Sequence, residues 1–278
     1  MLDFPRSRYE VVVVNDGASA ETEQSVAARA AASDLQVRCV SQPQAGPALA
    51  RNAGAAVARG RFLAFTDDDC IPTADWLRRL EHRLTAHRSV IVGGRTLNAL
   101  PTLLCSTASQ MLIDYLYEHH QFSETSARFF TTNNMAMDAR DFRESGGFNV
   151  TFPLAAAEDR EFCERWQRLG GTLVYAEDAL VKHEHRLSLW RYVRQHFNYG
   201  RGADFLRRSR AQLDAPAWRP KVEPLSFYVK LVTYPFGRVT GLRAVALSLL
   251  LFVSQTAYVA GYLFQRAFQI RKPQPRQG

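Results

Sequence analysis

Four short apolar runs constrain the fold of the N-terminal third of this chain more than any other feature. They occupy residues 11–14, 37–40, 62–65 and 90–92, and segments of helical composition separate them. Uninterrupted apolar runs of this length fit buried parallel strands better than half-exposed strands. Strands that alternate with helices predict an α/β fold.

Three helices are predicted between and after these strands. One begins at Pro47, behind Gly46, and extends through Arg59 to a stop at Gly60. A second follows Thr73, which is the predicted N-cap, with Leu77, Leu80 and Leu84 on one face. A third runs from Glu158 to Gly170, with core spacing at Phe162, Cys163, Trp166 and Leu169. Arg51 and Asn52 fall early in the first of these helices, and Glu158 and Asp159 fall in the first turn of the third.

The charge of the chain indicates an anionic partner. The 278 residues are 46% hydrophobic, enough for a substantial core, and carry a formal charge of +8 with a pI near 9.6. Nucleic acid is not expected, because the basic residues are not interleaved with aromatic residues in a known binding motif. A late basic run favours anionic lipid, with a solvated basic face as the alternative; it comprises Arg201, Arg207, Arg208, Arg210, Arg219 and Lys221.

Residues 244–264 form a stretch without charged residues. A helix of about 21 residues crosses about 30 Å of hydrocarbon, so the stretch predicts a membrane-embedded or interfacial helix. The polar side chains of Ser254, Gln255 and Thr256 near its middle favour a core or dimer helix instead, and both interpretations stay open.

The cellular compartment is predicted from two further patterns. The four cysteines have no paired short spacing, which indicates neither a zinc module nor a disulfide framework and favours a reducing compartment. The first residues lack the order of a secretory signal. We therefore expect the active part to work at the cytoplasmic face of a membrane, as a peripheral or single-pass protein.

The strongest chemical signal is the segment AFTDDDCIPTADW at residues 64–76. An apolar strand runs directly into Asp67, Asp68 and Asp69, and ligands of open α/β sheets bind at the carboxyl ends of strands. Adjacent carboxylates repel one another unless a cation neutralises them, and Mg²⁺ or Mn²⁺ takes oxygen ligands of this kind. The pattern predicts a metal that could bridge a diphosphate.

A second strand ends at Asn15 and Asp16. Asp16 could accept a hydrogen bond from a base or ribose, although the sequence Asn-Asp-Gly is also common in ordinary turns.

Taken together, these segments resemble the family-2 glycosyltransferases of GT-A fold over about residues 9–202. The matching blocks are Asn15-Asp16-Gly17-Ala18, the stretch GPALARNAGAAVARGRFLAFTDDD, and the stretch NNMAMDARDFRESGGFNVTFPLAAAEDREFCERW. The resemblance implies a mixed nucleotide-binding sheet flanked by helices. The uncharged stretch after residue 209 adds a C-terminal helical region, for which membrane association and a core or dimer role both stay open. The resemblance further implies an inverting transfer of sugar from a nucleotide-sugar to an acceptor hydroxyl, assisted by Mn²⁺ or Mg²⁺.

The resemblance also assigns site residues. It implies that Asp159 is the catalytic base, which a helix N-terminus would keep ionised near neutral pH. Asp69 and Asp67 are the implied metal ligands, with His183 as a further contact to the metal or diphosphate. The donor set comprises Asp16, Arg51, Asn52, Asp67, Asp68, Asn134, Glu158, Gln195 and Arg201, and Arg194 and Tyr199 are weaker candidates.

Domain boundaries and partners follow. We predict a glycosyltransferase domain over residues 1–209, with a donor half at about 1–100 and an acceptor half at about 101–209. Residues 210–278 are predicted to be a linker and a membrane-associated helical region. The expected partners are a nucleotide-sugar donor and a glycan, lipid-linked or small-molecule acceptor. Family members begin with a further strand and helix, so the alternative expectation is a chain that binds nucleotide or membrane without turnover.

Overall fold

The computed structural model describes residues 2–120, 122–124, 126–152, 154–213 and 223–270. The chain forms two compact units. We call Met1–Leu97 with His120–Glu184 the sheet unit, and Asn98–His119 with His185–Gly278 the helical unit. This division differs from the boundary near residue 210 that the sequence predicts for the catalytic domain, which stays a prediction.

The described residues of the sheet unit form two sheets. Strands β1 (Glu10–Asp16) and β2 (Gln36–Gln42) pair in parallel as a two-stranded sheet. The other strands are β3 (Phe62–Phe65), β4 (Cys70–Pro72), β5 (Val90–Asn98), β6 (Met135–Asp138) and β7 (Thr172–His183). They form a five-stranded sheet in the order β3-β6-β5-β7-β4. β6 is antiparallel to both β3 and β5, and β4 is antiparallel to β7.

All four apolar runs are strands, which confirms the predicted α/β class, but the prediction of a buried parallel sheet was wrong in two respects. β1 and β2 are parallel yet half-exposed, with 37% of Val11 accessible to solvent. β3 and β5 do not pair with each other, because β6 lies between them. The position of β6, which comes much later in the chain, sets this strand order, and no local sequence pattern predicts it.

The described residues of the sheet unit include five α-helices. They are α1 (Ala20–Ala31), α2 (Pro47–Val57), α3 (Trp76–Ala86), α5 (Ala139–Glu144) and α6 (Glu158–Arg168). α3 packs on β5, β6 and β7 through Trp76, Leu80 and Leu84, which are buried. This cluster is the core of the unit and fixes the sheet whose strand ends bear the polar residues described below.

Three details of these helices differ from the sequence predictions. α2 ends at Val57, with Ala58 as its C-cap, two residues before Arg59. Asp75, not Thr73, stands at the N-cap of α3, because the Thr73 hydroxyl bonds the Asp75 carboxylate and a strand carbonyl instead. Leu169 is 62% exposed beyond the last turn of α6, so the apolar spacing overstated its burial.

The helical unit contains α4 (Leu104–His119), α7 (Leu189–Leu213), α8 (Leu225–Thr233), a 3₁₀ turn at Tyr234–Gly237 and α9 (Gly241–Ile270). α9 packs along α7 and against α4 and α8. Its range Gly241–Phe268 is long and apolar enough to cross a membrane, with a mean hydropathy of 1.7 over an 18-residue segment, and one such helix is weak evidence for membrane association. Residues 214–222 of the predicted linker, with Arg219 and Lys221 of the basic run, lie outside the described residues.

Candidate active site

The acidic turn after β3 is held in place by strand pairing. The backbone N–H of Cys70 donates to the carbonyl of Asp67 over 3.1 Å and closes the turn. β4 then pairs with β7 so that Cys70 stands opposite His183. The N–H of Glu184 donates to the carbonyl of Asp69 over 2.8 Å. The two strands therefore fix the Asp69 side chain beside His183, 114 residues away in sequence.

A candidate cation site results from this pairing. The Nε2 atom of His183 lies 3.2 Å from the Asp69 carboxylate. Within the described parts of the chain, one potential ligand atom from each of Asp69, Cys70 and His183 falls within 4.8 Å of the others. The structure thus brings together Asp69 and His183, which the sequence predicted, and adds Cys70, which it did not.

The chemistry of these donors fits a hard divalent cation better than a thiophilic one. Burial raises the pKa of the Cys70 thiol to about 12, and the negative charges of Asp67 and Asp69 contribute to the rise. A protonated thiol is a weak ligand, because metals bind the thiolate. The remaining donors are carboxylate oxygen and imidazole nitrogen, which suit Mn²⁺, and carboxylate oxygen suits Mg²⁺.

Arg51 of α2 connects the acidic turn to α6. Its Nη1 donates to Oε1 of Glu158 over 2.8 Å, and its Nη2 donates to Oδ1 of Asp67 over 3.3 Å. The guanidinium also lies 5.8 Å from the ring centre of Phe148, which belongs to an aromatic cluster with Phe65. A guanidinium thus already faces Asp67 and an imidazole faces Asp69, whereas Asp68 is exposed to solvent.

Glu158 and Asp159 occupy the first turn of α6, as predicted. Glu158 is 4% exposed, and its Oε2 atom has no hydrogen-bond partner among the described residues. Burial raises the pKa of Glu158 to about 7, with a contribution from the charge of Asp159, while Arg51 opposes the rise. The residue before the pair, Ala157, has φ of +72°, a strained conformation for a non-glycine residue that is common at functional sites.

The pKa of Asp159 moves in the opposite direction from the sequence prediction. Its Oδ1 accepts the N–H of Arg160 over 2.7 Å, as expected at a helix N-terminus. The residue is nevertheless half-buried, and desolvation of the carboxyl raises its pKa, with Arg160 and Arg51 offsetting part of the effect. Desolvation outweighs the helix dipole here, so Asp159 binds a proton more readily than an ordinary aspartate.

Asn52 holds a loop instead of facing an open cleft. Its amide group donates to the carbonyl of Phe148 over 2.8 Å and accepts the N–H of Phe148 over 2.9 Å. Gly147 has φ of +68°, and a Cβ there would lie 2.6 Å from the Asn52 amide oxygen. The predicted donor contact of Asn52 stays a prediction, and its observed role is to position the aromatic residue beneath Arg51.

Asp16 organises the loop that leads into α2. Its carboxylate accepts hydrogen bonds from the Gln42 side chain and from the N–H groups of Ala45 and Gly46, at 2.8–2.9 Å. Burial alone would raise the pKa of Asp16, but these three hydrogen bonds outweigh it, so the pKa lies below its usual value. Asp16 is ionised and fixed at the end of β1, where the base contact was predicted.

Asn134 lies inside the core. Its side chain is 1% exposed, accepts the indole N–H of Trp76 over 2.8 Å, and donates to the carbonyls of Arg95 and Ala179. These bonds satisfy the amide, and its predicted role in donor binding stays a prediction. A buried asparagine that ties strands together has no distinct sequence signature.

The candidates beyond residue 185 belong to the helical unit. Gln195 lies 3.5 Å from the Ser109 hydroxyl, and Arg201 donates to the Gln265 side chain of α9 over 3.0 Å. Arg194 and Tyr199 lie exposed on the same helix α7. Gln195, Tyr199 and Arg201 have contacts within the helical unit. The predicted contacts of all four side chains with donor or acceptor stay predictions.

Two contacts in the sheet unit were not predicted from the sequence. The Arg51 to Glu158 ion pair spans 107 residues, and nothing local indicates it. The proximity of Cys70 to His183 could have been suspected, since Cys70 follows Asp69 directly, but only strand pairing shows it.

Comparison with known proteins is consistent with this arrangement. The model of Glycosyl transferase family 2 matches residues 1–146. Glycosyltransferase AglE of Haloferax volcanii is 27% identical over 201 residues, which are 72% of this chain and 64% of that protein. The pre-mycofactocin glycosyltransferase of Mycobacterium tuberculosis is 28% identical over 200 residues, 69% of this chain and 41% of that protein. The chain therefore spans less than two thirds of the length of these relatives.

Solved structures share the fold at low sequence identity. GalNAc-T7, crystallised with UDP, GalNAc and Mn²⁺, superposes with a TM-score of 0.53 at 15% identity, covering 82% of this chain and 50% of that one. Residues 1–349 of S. aureus TarS, in complex with UDP, give 0.51 at 16% identity, covering 99% and 86%. These similarities confirm the predicted GT-A fold.

Proposed function

Because the chain belongs to glycosyl transferase family 2, we propose that it transfers a hexosyl group from a nucleoside-diphosphate sugar to an acceptor hydroxyl with inversion. The observation that supports this most directly is the position of Arg51. One guanidinium contacts Asp67 of the acidic turn and Glu158 beside the candidate base. Donor-side and acceptor-side chemistry thus meet within a few ångströms.

Asp159 is the proposed general base. Its carboxylate takes the proton of the acceptor hydroxyl while that oxygen forms a bond to the anomeric carbon of the donor. The bond from this carbon to the diphosphate oxygen breaks, and its electron pair leaves with the nucleoside diphosphate. A single displacement of this kind inverts the configuration. A base whose pKa is raised by burial accepts a proton more strongly at neutral pH, provided that it is ionised.

Glu158 and Arg51 position the base. The salt bridge anchors the first turn of α6, which bears Asp159, against α2. Orientation of this kind contributes to rate by keeping the reacting groups aligned.

A divalent cation fits the acidic turn. Asp69 and His183 would hold it, and Asp67 is the third proposed ligand. When bound, Mn²⁺ or Mg²⁺ supplies Lewis-acid stabilisation of the leaving diphosphate. Asp16, Asp68 and Asn52 remain proposed contacts of the nucleotide side, and Gln195 and Arg201 of the donor or acceptor.

The proposed donors and location follow from the fold and the C-terminal helix. GalNAc-T7 and TarS were each crystallised with UDP, which supports UDP-sugars as the first donors to examine. The apolar helix α9 supports membrane association, with the active part at the cytoplasmic face. A glycan or lipid-linked acceptor suits such a location.

Nucleoside diphosphate release tests the proposal. The full chain is incubated with UDP-, GDP- and dTDP-sugars, with and without Mn²⁺, and with a panel of acceptor glycans and lipids. Asp69→Asn is compared with Glu177→Gln, which changes a 72% exposed carboxylate on β7. Metal-dependent release that Asp69→Asn abolishes and Glu177→Gln retains supports the proposal. A folded chain that binds UDP and Mn²⁺ but releases no product with any pair would instead support binding without turnover.

A further inference from the structure

One face of α9 exposes apolar side chains along its whole length. They recur every three or four residues, which places them on one side of the helix. The stripe comprises Leu242, Val245, Leu249, Phe252, Thr256, Val259 and Leu263, and its apolar members are 44–88% exposed. An exposed apolar surface of this extent marks an interaction site on a soluble protein.

The opposite face of α9 is packed against its own unit. A Cβ on Gly200 of α7 would lie 1.9 Å from the carbonyl oxygen of Tyr258, and a Cβ on Gly261 would lie 1.9 Å from that of Phe197. The two backbones therefore touch where they cross. Leu247 and Leu251 of α9 are fully buried among side chains of α4, α7 and α8. Among the described residues of its unit, α9 is thus packed on one face and exposed on the other.

This packing argues against α9 as a transmembrane span. Arg191 and Arg194 of α7 are exposed. They flank Tyr192, whose hydroxyl donates to the carbonyl of Leu250, inside the apolar stretch of α9. A spanning α9 would carry these charged groups of α7 into the hydrocarbon, which is costly. A helix that lies along the surface keeps them on the water side.

The charge of the helical unit indicates which surface covers the stripe. Its described residues include eleven Lys and Arg against four Asp and Glu. Arg238, Arg243 and Arg266 are exposed before and along α9. A second copy of the chain would bring like charges together, whereas an anionic bilayer offers both hydrocarbon for the stripe and phosphate for the arginines.

We propose that α9 lies in the plane of an anionic membrane, with its exposed stripe among the acyl chains and α7 on the water side. This deepens the membrane association in the proposed function, since it commits to an interfacial helix and to anionic lipid. The acceptor would then be presented at the lipid surface to which the helical unit binds.

Vesicle flotation of the full chain tests whether the exposed stripe of α9 binds an anionic membrane. Phosphatidylglycerol-containing vesicles should bind the chain at least tenfold more tightly than pure phosphatidylcholine vesicles, and added salt should weaken this binding. Leu249→Glu and Phe252→Glu should each reduce binding at least tenfold. Leu169→Glu is the matched control, because Leu169 is also 62% exposed but lies in the sheet unit. All of these side chains are exposed, and circular dichroism melting checks that each variant folds.

Alkaline carbonate washing of membranes from expressing cells tests the orientation. An interfacial helix is released, whereas retention of the chain in the membrane would show that α9 spans it and would overturn the inference. Absence of vesicle binding, with a dimer in sedimentation that Phe252→Glu dissociates, would assign the stripe to a second copy and overturn it equally. Neither measurement needs turnover, so inactivity towards every donor would count against the proposed function and leave this inference standing.

Discussion

Arg51 donates from Nη1 to Oε1 of Glu158 over 2.8 Å, at a point where the glutamate is almost completely buried. The same guanidinium reaches Asp67 with Nη2. The ion pair therefore joins α2, the acidic turn and α6, and removal of either partner should affect both stability and the site.

Replacing Arg51 with Met should destabilise the sheet unit by about 3 kcal/mol, because it leaves Glu158 buried without its cation. Urea unfolding measures the loss. The double variant Arg51→Met with Glu158→Gln should recover part of it, since no uncompensated charge remains. If the double variant lost as much unfolding free energy as the two single variants together, the two residues would not be coupled.

The pH dependence of the unfolding free energy should show the raised pKa of Glu158. Its pKa rises from 4.5 to about 7 on folding, so the folded state holds the proton more tightly than the unfolded state. The stabilisation that depends on this proton is complete below about pH 4.5 and is lost as pH rises through 7. The wild-type unfolding free energy, minus that of Glu158→Gln, should fall by on the order of 3 kcal/mol between these values. A flat difference would contradict the raised pKa.

Replacing Asp159 with Asn should reduce kcat about 100-fold or more, since it removes the proton acceptor but keeps the shape of the side chain. Affinity for the nucleoside diphosphate should stay unchanged. Glu164→Gln, on the same helix, serves as the control and should retain activity. If Asp159→Asn retained full activity with every productive donor, another residue would have to be the base.

Metal affinity should depend on Asp69 and His183. Titration with Mn²⁺, followed by the electron paramagnetic resonance of free Mn²⁺, should show at least about tenfold weaker binding in Asp69→Asn and His183→Ala, because loss of a direct ligand costs no less than loss of an outer contact. Cys70→Ser should bind nearly as the wild type, since its thiol is protonated. A large loss with Cys70→Ser alone would indicate a thiolate site instead.

The crossing of α7 and α9 should tolerate no added methyl group. Gly200→Ala would place a Cβ 1.9 Å from a backbone carbonyl of α9, so the helices must separate, at a cost of about 3 kcal/mol or more. Gly237→Ala meets no atom within 4 Å and is the control. Equal melting temperatures for the two variants would show that the helices do not touch there.

Much of the local structure could be predicted from sequence. The spacing of apolar residues, the capping residues and the turn residues together predicted three features. These are the strand before Asp67, the helix that begins at Pro47 and the acidic residues in the first turn of α6. These features depend on neighbours within a few residues, so local sequence contains the necessary information. The order of the motifs was specific enough to indicate the family.

Relationships between distant segments could not be predicted in the same way. β6 enters the sheet between β3 and β5, which the apolar runs cannot show. The buried contacts of Asn134 with Trp76 and two carbonyls have no local sequence signal either. The exposed position of Leu169 likewise depended on where its helix ended.

The sequence by itself determined which residues could perform the chemistry: carboxylates after a buried strand, and an acid pair at a helix start. The tertiary structure decided which of them meet. Pairing of β4 with β7 sets His183 beside Asp69, and packing of α2 on the acid pair sets Arg51 on Glu158. It also reversed the expected pKa shift of Asp159, because desolvation depends on the atoms that surround a group in space, and those come from the whole folded chain.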